Sequence, residues 1–177
     1  MKRYLLAILL FIHIALVFML LGGNVLDTFV NFGNWFHNIP DSVAAARQLN
    51  SFRGPGTFYM PMMPLVILSG IGFAAAAWRD EPARIWVLVG TVLFVATVVL
   101  NLGFLAPRIT TLIGEGSVLH PVETIQSAAQ ELQVLLQVRL VLILIGTAFS
   151  VFGLWRFYEN VPKPADPMPA PEADETN

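Results

Sequence analysis

The segment IWVLVGTVLFVATVVLNLGFL, from Ile85 to Leu105, contains no charged residue and indicates the class of fold. An α-helix rises about 1.5 Å per residue, so roughly 20 apolar residues cross a hydrocarbon layer of about 30 Å. Further apolar stretches of similar length occur before and after it. The sequence therefore predicts an all-α integral membrane four-helix bundle, with spans at about 4–24, 58–78, 85–105 and 138–156.

The overall composition agrees with a membrane protein. Hydrophobic residues make up 56% of the chain, charged residues only 12%, and the mean hydropathy is +0.68. These values lie outside the range of soluble domains. A formal net charge of −2 provides no basic surface for nucleic acid. The chain has no cysteine, which excludes thiol redox relays, thiolate metal sites and haem attachment through CxxCH.

The basic residues predict the topology. The first apolar run is about twice the length of a signal-peptide core and has no small-x-small cleavage site, so we interpret it as an uncleaved span. Lysine and arginine are retained on the cytoplasmic side of short loops. The residues that fall on one common side are Lys2, Arg3, Arg79, Arg84, Arg156 and Lys163. We therefore expect a multi-pass protein of the bacterial inner (plasma) membrane with both termini in the cytoplasm.

These spans divide the chain into a bundle domain, residues 1–160, and a tail, residues 161–177. The tail is rich in proline and acidic residues, which predicts a disordered cytoplasmic segment. Segments 31–57 and 106–137 are predicted as outer loops. Within the first of them, Ser42 to Leu49 is expected to form a short helix.

The second outer loop is expected to end in a helix that continues into the fourth span. Along it runs a polar seam with helical spacing, made of Glu123, Gln126, Gln130, Gln133 and Gln137. A water-exposed face on a helix that extends out of the bilayer explains such a seam. Glu131 lies nearer the side of Arg139 and is the better candidate for a pocket residue.

Polar side chains inside the spans are costly and therefore informative. At 100° per residue, one stripe within about 60° on the first helix contains His13, Asn24, Asp27 and Asn31. On the third helix, Asn101 and Arg108 share a face. On the fourth, Arg139 shares a face with the small residues Gly146, Ser150 and Gly153. These faces are predicted to form the interior of the bundle.

The polar groups converge on the outer end of the predicted bundle. There Asp27 can pair with Arg108 or Arg139, and a carboxylate so paired stays ionised. We predict an outward-facing pocket, with an apolar floor and a charged rim, that binds a small apolar or amphipathic molecule. The predicted ligand-binding residues are Asn24, Asn101, Arg108 and Glu131. The alternative is that these groups only hold helices together or extend to the interface.

A metal site is a separate alternative to a site without a cofactor. Imidazole in mid-membrane can bind haem or copper, but a b-type haem usually needs two intramembrane histidines, and only His13 lies within a span. The residues that could form a soft Cu(I) site are His13, His37, His120, Met60, Met62 and Met63. Methionine packing around the kinks at Pro61 and Pro64 explains the same methionines. We therefore expect no cofactor.

Two resemblances to known families follow from local features. The third span ends in Asn101-Leu-Gly-Phe-Leu-Ala-Pro107-Arg108-Ile109, a glycine-rich end of the first helix precedes a long outer loop, and the last helix carries Arg139. This order of features resembles the anthrone-oxygenase-like family of four-helix membrane proteins. More locally, His13 followed by the glycine pair at 22–23 is similar to the first helix of copper-resistance-D-like membrane proteins.

The first resemblance implies a cofactor-free oxygenase, or a related enzyme, that acts on an apolar aromatic substrate. It would use Asp27 and Arg139 as catalytic residues, one as a general base and the other as an anion stabiliser, with Asn24 and Asn101 as hydrogen-bonding groups. The competing hypothesis is a non-enzymatic bundle that binds lipid, or an accessory or structural subunit of a larger membrane complex or homo-oligomer. Enzyme activity is left open between them.

Overall fold

The computed structural model describes residues 2–50, 56–79, 82–115 and 120–159. No β-strand occurs among these residues. They form continuous helices in the order α1 (Arg3–Trp35), α2 (Asp41–Asn50), α3 (Gly56–Ala76), α4 (Ala83–Ile113) and α5 (Val122–Glu159). All except α2 are long and apolar enough to cross a membrane. The predicted all-α class with four long apolar helices is confirmed.

The long helices extend beyond the predicted spans. Helix α1 continues to Trp35 and α4 continues to Ile113, whereas α5 begins at Val122 and confirms the helix expected to lead into the fourth span. Where the structure describes them, the segments predicted as outer loops, 31–57 and 106–137, are therefore largely helical. Hydropathy marks the part of a helix that suits hydrocarbon, whereas backbone hydrogen bonding continues as long as the next turn finds packing. The predicted disordered tail lies outside the described residues.

Helix α5 is the element around which the others are arranged. It packs against α4 and α1, while α3 packs against both α1 and α4. Its buried positions recur every three or four residues, which is the period of one helix face; they include Leu132, Leu136, Arg139, Ile143, Gly146, Ser150, Gly153 and Phe157. A Cβ atom on Gly90 of α4 would lie 2.7 Å from the Gly146 carbonyl oxygen, so small residues allow α4 and α5 to approach closely.

The core consists of three apolar layers stacked along the bundle. The layer nearest the chain termini contains Leu6, Leu10, Phe73, Val87 and Phe157. The middle layer contains Val17, Leu20, Val66, Phe94 and Ile143. The third, which we call the cap layer, contains Phe32, Trp35, Val43, Leu105, Leu112, Leu132 and Leu136. Along the helices, polar residues occupy the levels between these layers.

Most of the cap layer comes from the two segments predicted as outer loops, within which two helices were expected. Helix α2 confirms the short helix expected at Ser42–Leu49 and contributes Val43 and Ala46 to this layer. The Ser42 hydroxyl donates a hydrogen bond of 2.7 Å to the carbonyl oxygen of Trp35, which fixes α2 to the end of α1. The polar seam on α5 lies on the opposite, exposed side of that helix, as predicted. This end of the molecule is therefore a packed unit with its own core.

The outer surface of the bundle is unusually apolar. Large hydrophobic side chains such as Phe11 on α1, Leu68 on α3 and Val92 on α4 are 70%, 64% and 64% exposed. A surface of this kind is unfavourable in water and suits a hydrocarbon solvent. The burial pattern thus agrees with helices whose surroundings are lipid.

Candidate functional site

A cavity of about 590 Å³ lies between α3 and the second half of α4, at the level between the middle layer and the cap layer. Its walls are apolar and include Met63, Ile67, Val98 and Leu105. Its polar lining consists of Asp27 from α1, Asn101 from α4 and Arg139 from α5, together with Tyr59 of α3. The cavity therefore combines a long apolar wall with a small polar end.

The centre of that polar end is a buried ion pair. Asp27 and Arg139 are only 5% and 4% exposed. The Asp27 Oδ2 and Arg139 Nη2 atoms are 3.9 Å apart, which is within ion-pair range but beyond hydrogen-bond distance. The other carboxylate oxygen, Oδ1, accepts a hydrogen bond of 2.6 Å from the Asn31 side-chain amide. Of the two partners expected for Asp27, the structure thus selects Arg139.

Tyr59 is a member of the site that the sequence analysis missed. The Arg139 guanidinium carbon lies 5.2 Å from the centroid of the Tyr59 ring, a cation–π geometry. Tyr59 and Asp27 line the same cavity. A tyrosine within an apolar span usually needs a partner for its hydroxyl when it is buried, and this was the available signal. A tyrosine near the end of a span also suits the interfacial aromatic belt, so the sequence alone does not separate the two interpretations.

Polar atoms that the protein leaves without partners gather at this level. Six buried side-chain nitrogen and oxygen atoms of the described residues lack a hydrogen bond, namely Asn24 Oδ1, Asp27 Oδ2, Thr28 Oγ1, Asn101 Oδ1, Arg139 Nε and Arg139 Nη2. Each such atom costs about 1–3 kcal/mol relative to a satisfied one. Three of the residues concerned, Asp27, Asn101 and Arg139, line the cavity. A molecule that offered hydrogen-bond partners there would recover part of that cost.

Two of the cavity's polar residues begin π-helical turns, which are frequent at functional sites. Asp27 begins the turn Asp27–Asn31, and Asn101 begins the turn Asn101–Leu105. Pro107 follows the second turn; it lacks an N–H, and its ring collides with the carbonyl four residues earlier in a regular helix. A widened turn at that place accommodates the proline. The irregular backbone therefore occurs where the polar side chains enter the cavity.

Two predicted site residues lie elsewhere. The Arg108 Nε atom donates a hydrogen bond of 3.0 Å to Glu131 Oε2, and the pair lines a shallow depression between α4 and α5 on the protein surface. Their side chains are 35% and 53% exposed. The structure therefore does not bring Arg108 or Glu131 to the cavity. Asn24 is fully buried one turn before Asp27, and its amide donates to the Leu20 carbonyl oxygen at 2.9 Å.

The distribution of charge in the pocket is the reverse of the one expected. We predicted an apolar floor and a charged rim, and this is wrong for the observed cavity. The charged pair is buried, while the exposed residues at the opening are Met60, Leu68 and Leu102, at 81%, 64% and 71%. The physical reason is that α1 and α5, which carry the charges, lie behind α3 and α4, which frame the opening.

His13 lies at the other polar level, between the layer nearest the termini and the middle layer. Its Nδ1 atom is 2.9 Å from Ser69 Oγ and its Nε2 atom is 3.2 Å from Ser150 Oγ. Each hydroxyl also lies within hydrogen-bond distance of a carbonyl oxygen, that of Val66 for Ser69 and that of Gly146 for Ser150. In a neutral imidazole, one hydroxyl donates to its carbonyl oxygen and accepts from the ring N–H, while the other donates its one proton to the unprotonated ring nitrogen. Both ring nitrogens therefore have partners within the bundle, and we call this set the histidine level.

The residues of the alternative copper site occupy different parts of the structure. Met62 and Met63 are buried in the middle layer, whereas Met60 is exposed at the cavity opening. His37 lines a surface depression beside the polar seam, away from His13, and His120 lies two residues before α5. In the described ranges, no three histidine, aspartate or glutamate side chains are grouped so that they could hold a metal ion.

Comparison with known proteins finds no family model, no curated protein and no solved structure that matches this chain.

Proposed function

We propose that this chain is a multi-pass protein of the bacterial plasma membrane, with both termini in the cytoplasm, that binds a small apolar or amphipathic molecule in the cavity between α3 and α4. The observation that carries the proposal is the set of unpartnered buried atoms of Asp27, Asn101 and Arg139 at the end of an apolar cavity. Binding sites for small molecules are mostly apolar concavities with a few convergent polar groups. A bound molecule with one polar end and an apolar remainder would match both the polar end and the apolar wall of this cavity.

If the bound molecule is a substrate, the protein would be an enzyme of the anthrone-oxygenase type. Asp27 Oδ2 would accept an acidic proton from the substrate, whose electron pair would remain as an enolate or phenolate. The free edge of the Arg139 guanidinium would then stabilise the oxyanion through hydrogen bonds. Burial of both groups supports the idea, because an apolar environment strengthens such electrostatic interactions. Molecular oxygen would be the oxidant in the subsequent step.

A non-enzymatic subunit of a membrane complex or homo-oligomer is the second candidate. It is favoured by the open side of the cavity, where Met60 and Leu102 are exposed and a helix of a partner protein could pack. In that case the polar end would contact a partner side chain, and no small molecule would be retained. The two candidates thus differ in what covers the same opening.

Native mass spectrometry of protein extracted directly into lipid nanodiscs tests the proposal. We expect a bound small molecule in the wild-type protein and its loss when Leu105, a buried wall residue, is replaced by tryptophan. The matched control is Val92→Trp, which adds the same side chain to an exposed site on the same helix and is expected to retain the molecule. A protein that carries only a partner chain, with identical spectra for both variants, would favour the accessory-subunit candidate and contradict small-molecule binding.

A further inference from the structure

We propose that the cavity selects a neutral, long-chain molecule with a hydroxyl group at one end, and that this molecule enters sideways from the lipid between α3 and α4. The proposal rests on the proposed function, since it names the class of ligand for the same cavity. The donor and acceptor atoms at the polar end, the charge balance and the shape of the opening each contribute to it.

The unpartnered atoms of the ion pair call for a group that both accepts and donates a hydrogen bond. Arg139 Nε and Nη2 lie on one edge of the guanidinium and donate only, whereas Asp27 Oδ2 accepts only. Nη2 and Oδ2 are 3.9 Å apart, so one oxygen atom can lie about 2.8 Å from each. A hydroxyl oxygen accepts from Arg139 and donates its proton to Asp27. An ether or ketone oxygen could satisfy only the arginine.

The charge balance of the cavity favours a neutral head group. Among the described residues that line the cavity, only Asp27 and Arg139 carry charge, and their charges cancel. A carboxylate would fit the guanidinium edge but would place a second negative charge beside Asp27. An unbalanced charge in so apolar a place costs several kcal/mol. An alcohol adds hydrogen bonds without adding charge.

The shape of the cavity favours an extended chain. Its lining on α3 recurs once per turn from Gly56 through Met60 and Pro64 to Leu68. Twelve residues of helix correspond to a groove about 18 Å long. The exposed residues along its edge are apolar, and they belong to helices suited to lie in lipid. A chain already dissolved in the bilayer could enter without crossing water.

A series of probes with one common chain tests the head-group selection: 1-dodecanol, dodecyl methyl ether, dodecanoate and dodecane. Wild-type protein in phosphatidylcholine nanodiscs would be titrated with each probe, and occupancy measured by native mass spectrometry at alkaline pH, where dodecanoate is ionised. We expect dodecanol to bind about tenfold or more tightly than the other three, because it alone gains hydrogen bonds to both charged groups. Asp27→Asn is expected to reduce the advantage of dodecanol over the ether, whereas Arg108→Gln leaves it unchanged.

Two further variants test the proposed route of entry from the lipid. Leu102→Trp should slow or block dodecanol uptake, while Val92→Trp, at an exposed position of α4 away from the cavity, should not, and both positions are exposed. Equal uptake by the two variants would overturn lateral entry. Equal or tighter binding of dodecanoate or dodecane than of dodecanol would overturn the hydroxyl specificity and leave the proposed function intact. If no probe binds and no small molecule is retained on extraction, the proposed function itself fails.

Discussion

The bundle has two buried polar levels, and they differ in whether their polar atoms find hydrogen-bond partners within the protein. At the histidine level, each ring nitrogen of His13 faces a serine hydroxyl, and no unpartnered buried side-chain atom occurs on the described residues of that set. At the level of Asp27 and Arg139, the ion pair is 3.9 Å apart, buried atoms of both side chains lack hydrogen-bond partners, and both residues line a cavity of about 590 Å³. One level is closed and the other is open, although both are buried.

The difference indicates what each level is for. A closed polar level holds helices in one register, since every buried hydrogen bond is lost if the helices shift. Gly70 shows how tightly it is packed, because a Cβ atom there would collide with Thr91. An open level costs stability and persists where a ligand recovers that cost. Removal of an unpartnered polar group at the open level should therefore have the opposite sign to disruption of the closed level, whereas removal of one charge of the ion pair should destabilise most.

The largest expected effect is the loss of the buried cation. Arg139→Met should lower the free energy of unfolding by about 3–5 kcal/mol, because Asp27 is left as an uncompensated buried charge. Addition of Asp27→Leu should recover most of that loss by removing the second charge. Equilibrium unfolding in mixed micelles measures both variants. If the double variant is no more stable than the single one, the two charges are not coupled and the site has a different basis.

The next largest loss of stability is expected when the packing of the histidine level is disturbed. Gly70→Ala should cost about 1–3 kcal/mol, since the added methyl group overlaps Thr91 and presses on His13. Gly72→Ala is the matched control: a Cβ atom there meets no other described residue within 4 Å, so better helix propensity should leave stability equal or higher. The difference between the unfolding free energies of the Gly70→Ala and Gly72→Ala variants tests whether the histidine level is tightly packed. Equal destabilisation by both changes would show that this level is not tightly closed.

Removal of one hydroxyl tests the hydrogen bonds of the closed level. Ser150→Ala should cost about 1–2 kcal/mol, because His13 Nε2 loses its partner inside the bundle. Thermal unfolding of the variant in the same micelles gives the size of the effect. A neutral result would mean that His13 finds another partner and that the level is more adaptable than its geometry indicates.

The smallest change in stability is expected at the open level, and with the opposite sign. Asn101→Leu removes an unpartnered acceptor, so stability should stay equal or rise by about 1 kcal/mol. The same variant should lose occupancy of the cavity in nanodisc titrations, because a polar lining group is gone. Lower stability together with unchanged occupancy would contradict the assignment of Asn101 to a ligand site.

Much of the fold follows from patterns that can be read along the chain. Apolar runs of span length predict the long helices, because each helix must satisfy its own backbone in lipid. The spacing of Arg139 relative to Gly146 and Ser150 correctly predicts a buried arginine, since all three lie on one helix face. The stripe on α1 likewise predicts the burial of His13 and Asp27.

Other features depend on how the helices are arranged around one another. Both Arg108 and Arg139 follow polar patterns at the same end of the bundle, and only packing shows that Arg108 faces out to Glu131. Tyr59 joins the site because α3 places its ring against the Arg139 guanidinium. The helices at Ser42–Leu49 and before the fourth span were predicted, but the cap layer was not, because the segments that continue α1 and α4 are short of the hydropathy that marks a span.

The long apolar helices and their polar faces can be read from the amino-acid sequence, since backbone hydrogen bonding and helical periodicity are local properties. The helix packing is needed to show that the polar level of His13 is closed while the level of Asp27 and Arg139 is open. That distinction depends on the distances between side chains on three or four different helices. Such distances depend on the small residues that let helices approach closely. They also depend on the π-helical turns and prolines that make the helix backbone irregular.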